Sequence, residues 1–237
     1  MRISRRYCGL EVVVLLITAA ALSGCCGPTC GWLEGIRGVR ISRLRGSGAL
    51  VTAEMSFRDF SKLDVSHAFE VHLVQSRSYR VVITADDNVM DEVEVSQSGG
   101  TLRLGLKRTA LSFENVTLRA EVSMPTLEGL QLSGASSLRG EVDTDDVRFE
   151  LSGASHVTLE GRGGDLTLDA SGASRADLGD FVVEDADLQV SGASQATVNA
   201  TGRLDVDASG ASQVTYLGNP SLGRIDTSGA SSVSPAR

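Results

Sequence analysis

From about residue 127 onward, apolar and polar residues alternate in short bursts. Val147, Phe149 and Leu151 are apolar and Glu150 between them is not. The pattern returns in Leu166, Leu168 and Ala170 around Asp169, then in Ala186, Leu188 and Val190 around Gln189. It returns again in Leu204, Val206 and Ala208 around Asp207. A period of two predicts strands with one face buried. A short turn follows each burst, and alternation resumes at Leu138, Val157, Ala176, Ala196, Val214 and Val233. Leu159, Leu178, Val198 and Tyr216 hold the next inward places. No segment keeps a 3.6-residue period over two turns, so the chain reads as all-β.

The turn is itself a repeat. Ser-Gly-Ala-Ser begins at Ser133, Ser152, Ser171, Ser191, Ser209 and Ser228, at spacings of 19, 19, 20, 18 and 19. Two strands and two turns in about 19 residues make one coil of a right-handed parallel β-helix. Helical solenoids need longer repeats, about 33 to 47 residues. Coils should stack about 4.8 Å apart, the strand-to-strand spacing. Gly at the second place accepts positive φ. Ala at the third is expected at a crowded inner corner. The Ser hydroxyls have two candidate partners, neighbouring backbone or the Ser residues above and below.

The first half is less regular. Leu63 to Leu73 fits the same register with Ser66 as first Ser, while His67 and Phe69 stand where Gly and the second Ser would be. This predicts a seventh, degenerate coil, as expected of an atypical end repeat. Strand-like runs follow at 79–84, 92–95, 101–106 and 116–123, with Gly99-Gly100 as a hairpin turn. They predict irregular β structure closing one end of the stack. Several pieces of the chain resemble the putative auto-transporter adhesin head GIN domain family. They are Gly46-Ser47-Gly48, Phe60 to Ser66, Val82 to Asn88, Gly99 to Leu104, and the Ser-Gly-Ala-Ser coils. The resemblance runs from about Gly46 to Val233 and implies a β-helical envelope domain, with adhesion suggested by the family's name.

The N-terminus changes the picture. Arg2, Arg5 and Arg6 precede an eleven-residue apolar run, Val12 to Leu22. A bilayer span needs about 20 such residues, so the run reads as an export signal. Leu22-Ser23-Gly24-Cys25 resembles a bacterial lipobox, in which the chain is cut before a diacylated Cys. The expected organisation is a signal at 1–24, a lipidated N-terminus and tether at 25–45, and the β-helix domain at 46–237. Cys8 falls in the signal. Cys26 and Cys30 remain, free to pair in an oxidising envelope or to stay reduced. No Asp follows Cys25, so in a host with two membranes the outer one is expected. Removing 1–24, which holds three Arg and one Glu, takes the formal net charge from −8 to −10. That balance argues against a nucleic-acid partner.

The position two before the first Ser is acidic at Glu150, Asp169, Asp207 and Asp226. Stacked, these form a negative stripe. It is a low-specificity candidate for binding a cation such as Ca²⁺, against the plainer reading of a solvated face helped by Arg148 and Arg224. Asp86-Asp87-Asn88 is expected to be a turn rather than a cation loop. His67 and His72 fall on opposite strand faces, and His156 is remote in sequence, so no metal site is expected. No catalytic motif occurs, and no His or Lys accompanies the repeated Ser residues as a base. The expected function is a non-enzymatic envelope lipoprotein without a cofactor. It would present a ridge of Ser137, His156, Arg175, Gln195 and Gln213, beside Arg139, Thr158, Asp177, Thr197 and Thr215, to a glycan or an envelope protein. The alternative is a carbohydrate-active β-helix enzyme.

Overall fold

The computed structural model describes residues 42–107 and 111–236. It is a β-solenoid with about six coils of about 19 residues. Two sheets face each other, one of nine strands and one of ten. Each regular coil lays one strand in the first sheet, turns through Ser-Gly-Ala-Ser, and lays its second strand in the second sheet. Thus Val147–Leu151 pairs in parallel with Leu166–Ala170 in the first sheet, and His156–Arg162 pairs with Arg175–Val183 in the second. The inward residues fill the space between the sheets. Val147, Phe149, Leu151, Val157 and Leu159 are each at most 3% exposed.

The turn does not interrupt the backbone ladder. Around Gly172, Ser171 N donates to Leu151 O at 2.9 Å, Ala173 N to Gly153 O at 2.8 Å, and Arg175 N to Ser155 O at 2.8 Å. Gly makes this possible. Gly172 has φ of +77°, and a Cβ there would lie 2.6 Å from Gly153 O. At the seventh corner His67 takes this place with φ of 72°. Gly105, in register with Ser66, leaves room for the Ser66 hydroxyl, since a Cβ there would come 2.8 Å from Ser66 Oγ.

One expectation about the turn is reversed. Ala135, Ala154, Ala173, Ala193, Ala211 and Ala230 are exposed, and the fourth-place Ser points inward. Ser136, Ser155, Ser174, Ser194 and Ser212 are at most 1% exposed. The reason is hydrogen bonding. Ser155 and Ser174 Oγ donate to the carbonyls of Ser152 and Ser171, both at 2.6 Å. An Ala methyl turned inward would supply no donor for that carbonyl. In the 18-residue coil, the buried Ser194 Oγ makes no such bond among the described residues. The 20-residue coil absorbs its extra residue as a bulge in strand Arg175–Val183, and Phe181 beyond the bulge is fully buried.

The coil at Ser66 stacks beneath the coil at Ser133, with Lys62–Val65 in register with Gly129–Leu132. The excursion between them is more regular than expected. Strands Thr101–Leu106 and Leu118–Met124 form a further parallel rung on its far side. Antiparallel strands then close this end. Val93–Ser98 borders the first sheet, joined through Gly99-Gly100, and Arg80–Asp86 with Leu50–Met55 borders the second. Ser42–Arg45, inside the expected tether, pairs in parallel with Leu111–Glu114.

The expected turn at Asp86-Asp87-Asn88 is the end of a strand followed by one helical turn, Asp87–Met90. It is a clasp. Asp86 is 1% exposed, and its carboxylate accepts from Gly48 N and Thr117 N, both at 2.7 Å. Asn88 Nδ2 donates to Arg45 O at 2.8 Å. The backbone bonds from Thr117 and Gly48 hold the Asp86 carboxyl below its ordinary pKa.

Two predictions follow from this geometry. Gly172→Ala should lower stability by about 1–3 kcal/mol, the cost of a side chain in a disfavoured backbone region. Ala173→Ser, at an exposed place, should leave the urea midpoint unchanged. Equal midpoints for the two variants would contradict the corner geometry. Because the folded Asp86 pKa is depressed, its contribution is complete above the unfolded carboxyl pKa of about 3.9 and fades as pH falls through the lower folded value. Asp86→Asn should therefore flatten the acid limb of a stability-against-pH curve and lower the neutral plateau.

Candidate functional site

Direct stacking turns each outward position into a row along the solenoid. On the first sheet, Gln131, Glu150, Asp169, Gln189, Asp207 and Asp226 stand side by side. The sequence-predicted residues Glu150, Asp169, Asp207 and Asp226 are therefore brought onto one line. The line extends to Asp64, which pairs with Gln131 on one side and Arg103 on the other. Asp64 was findable, since it stands two before Ser66.

Two guanidiniums divide the row. Arg148 Nε lies 2.9 Å from Glu150 and its Nη2 2.5 Å from Asp169. Its hydrogen bond to Glu150, reinforced by the Asp169 charge, raises the Arg148 pKa. Arg224 reaches Asp226 at 3.4 Å and Asp207 at 3.9 Å. Gln189 separates the two groups. The pairs are solvent-exposed, a setting in which such pairs contribute about 0–1 kcal/mol. They order the row and halve its charge. Among the described residues, no group of three or more His, Cys, Asp or Glu is arranged to hold a metal ion.

The second sheet carries the other candidate face. One outward row runs Arg119, Glu70, Ser137, His156, Arg175 and Gln195. The next runs Glu121, His72, Arg139, Thr158, Asp177 and Thr197. The predicted ridge is thus one continuous surface, and Glu70, His72, Arg119 and Glu121 extend it toward the closed end. Those four were missed because they belong to rungs without the Ser-Gly-Ala-Ser marker. A groove of about 510 Å³ crosses the rungs there, lined by Glu70, His72, Arg119, Arg139, His156 and Thr158 among others. His156 Nε2 lies 3.0 Å from Thr158 Oγ1. Partial burial, then the Arg175 charge, lower the His156 pKa against the opposing pull of Asp177.

The repeated Ser residues are not set up as nucleophiles. Apart from Ser194, the fourth-place hydroxyls spend their proton on a carbonyl, as Ser136 does on Ser133 O at 2.9 Å. Cys25, the expected lipidation site, and its neighbours Cys26 and Cys30 lie outside the described residues.

Among solved structures, an adhesin described as putative from Bacteroides fragilis superposes with a TM-score of 0.64 at 19% identity, covering 81% of this chain and 100% of that one. A protein described as a putative lipid binding protein from Parabacteroides distasonis gives 0.54 at 17% identity, over 83% of this chain and 100% of that one. At these identities the likeness shows the fold. No curated protein matches the chain. A family model described as "Putative auto-transporter adhesin, head GIN domain" matches residues 59–220. That span takes in the Ser66 coil, the closing strands Arg80–Asp86 and Val93–Ser98 and five of the six Ser-Gly-Ala-Ser corners, and the chain is a member of that adhesin-head family.

Proposed function

We propose that this chain is a non-enzymatic, lipid-anchored envelope protein whose second sheet presents a rigid binding face to a glycan or an envelope protein. The observation that carries the reading is the pair of polar rows on that sheet. Their side chains are held about 4.8 Å apart by a continuous backbone ladder, so the face is ordered before any partner arrives. Preorganisation of this kind reduces the entropy lost on binding. Membership of an adhesin-head family supports a binding role. Ser hydroxyls tied to carbonyls and carboxylates matched by Arg148 and Arg224 support the non-enzymatic part. The acidic row of Glu150, Asp169, Asp207 and Asp226 offers a second surface of opposite character. Cys25 carries the lipid, and the outer membrane is the destination in a two-membrane host.

Cys25→Ala should move the protein from the membrane fraction to the soluble fraction and abolish palmitate labelling; unchanged labelling would refute the anchor. For the face, Thr158→Trp with Gln195→Trp should abolish capture of ligands on a glycan array and of envelope proteins in a pull-down, with the circular dichroism spectrum unchanged. A partner that binds the double variant as well as the original chain would place the binding surface elsewhere. Cleavage within a polysaccharide panel would replace the reading with an enzymatic one.

A further inference from the structure

The groove near the closed end differs from the rest of the second sheet in its charge balance. Arg119 is paired with Glu70 at 3.2 Å, and Arg80 reaches Glu121 at 4.0 Å. Farther along, Arg175 reaches Asp177 at 3.9 Å. Arg139, exposed in the middle of the groove, has no ion pair among the described residues. Glu141, two residues along its strand, does not pair with it. His72 and Thr158 flank Arg139 on its row, and Ser137 and His156 stand beside it. An unmatched guanidinium is thus ringed by imidazoles and hydroxyls, all able to donate to oxygen.

We infer that this groove binds the carboxylate or sulfate groups of an acidic polysaccharide, with Arg139 gripping the oxyanion and Ser137, Thr158, His72 and His156 bonding to it and to adjacent sugar hydroxyls. The inference rests on the proposed binding role of the second sheet and names its ligand class. Guanidinium geometry matches planar oxyanions through two parallel hydrogen bonds. A polyhydroxylated ligand fits better than a protein. Protein hot spots insert apolar anchors into desolvated pockets, whereas Val71, Ala120 and Leu138 in this groove turn their side chains into the core. Glu70 and Glu121 in the groove are matched by Arg119 and Arg80, and Glu141 lies two residues from Arg139 along its strand. The acidic row lies on the opposite sheet, at least about 10 Å away, beyond the screening length of about 8 Å at physiological ionic strength.

The test is titration of the full chain at fixed ionic strength with polygalacturonate, heparin and neutral dextran. At least one acidic polymer should bind saturably and dextran should not. Arg139→Ala should weaken that binding at least tenfold, while Arg162→Ala, an equal charge change at an exposed place on the same sheet, should change it less than twofold. The polygalacturonate and heparin arms distinguish carboxylate from sulfate. Equal losses in both variants, or dextran binding as tight as the acidic polymers, would overturn the inference. So would failure of both acidic polymers to bind. If another partner is lost in the Thr158→Trp, Gln195→Trp variant and untouched by Arg139→Ala, the binding face stands and the acidic ligand falls. Arg139 is exposed and unpaired, so an unchanged melting temperature for Arg139→Ala is the expected folding control.

Discussion

The hydrogen bond from the third-place Ala N to the Gly carbonyl of the coil below is the contact on which the rest depends. It recurs at 2.7–2.8 Å at five Ser-Gly-Ala-Ser corners, and at the Ser133 corner Ala135 N donates instead to His67 O, which holds the Gly place, at 2.6 Å. A corner normally breaks a β-ladder, because the chain turns its amides away from the stacking axis. Here the left-handed Gly conformation keeps the peptide dipoles along that axis, so the ladder passes from one sheet into the other without a gap. The backbone of the buried fourth-place Ser would otherwise go unpaired, at a cost of about 1–3 kcal/mol for each group. The inward Ser completes the arrangement by donating to the carbonyl that the ladder does not reach.

Strict stacking has a consequence for the surface. Because coils do not slip, like positions face like positions, and the chemistry of a place in the repeat becomes the chemistry of a row. A row of carboxylates is self-repelling. The first sheet answers this with Arg148 bridging Glu150 and Asp169, Arg224 facing Asp207 and Asp226, and a neutral Gln189 between them. The same geometry that gathers charge therefore also fixes where compensation must stand. On the second sheet the ion pairs sit at the two sides of the groove and leave its centre cationic.

The regular coils were legible because period-two alternation and a fixed tetrapeptide report the same register. The seventh coil was legible for the same reason, although His67 replaces Gly. The orientation of the Ala and the last Ser was not, because four small residues in a turn carry no hydrophobic signal, and the choice is made by an unpaired carbonyl that appears only once the coil has closed. The rung formed by Thr101–Leu106 and Leu118–Met124 was hidden too. Its two strands are separated by a long excursion in place of a corner, so nothing local joins them. Of the candidate site, the outward rows were readable from the repeat. The Asp86 clasp was not, since its partners Gly48 and Thr117 are remote in sequence and contribute only backbone N–H groups.

The placement of the groove follows from how the closed end is built. After one closing strand, Leu50–Met55, the chain lays the Ser66 coil, leaves to form the other closing strands and one further rung, and returns to stack the Ser133 coil on the other side of the Ser66 coil. Such a detour is affordable, because loop-closure entropy grows only logarithmically with loop length. It also puts antiparallel strands, Val93–Ser98 and Leu50–Met55, at that end of the two sheets. Inside the regular array Ser, Thr, Gln and Asp recur on the outward rows, interrupted by Arg139, His156 and Arg175. The rung made from the detour adds Arg119 and Glu121, and the Ser66 coil adds Glu70 and His72, alongside Arg139 and His156. Chemical variety on a repetitive surface is concentrated where the repeat meets its closing structure, and a selective site belongs at that junction.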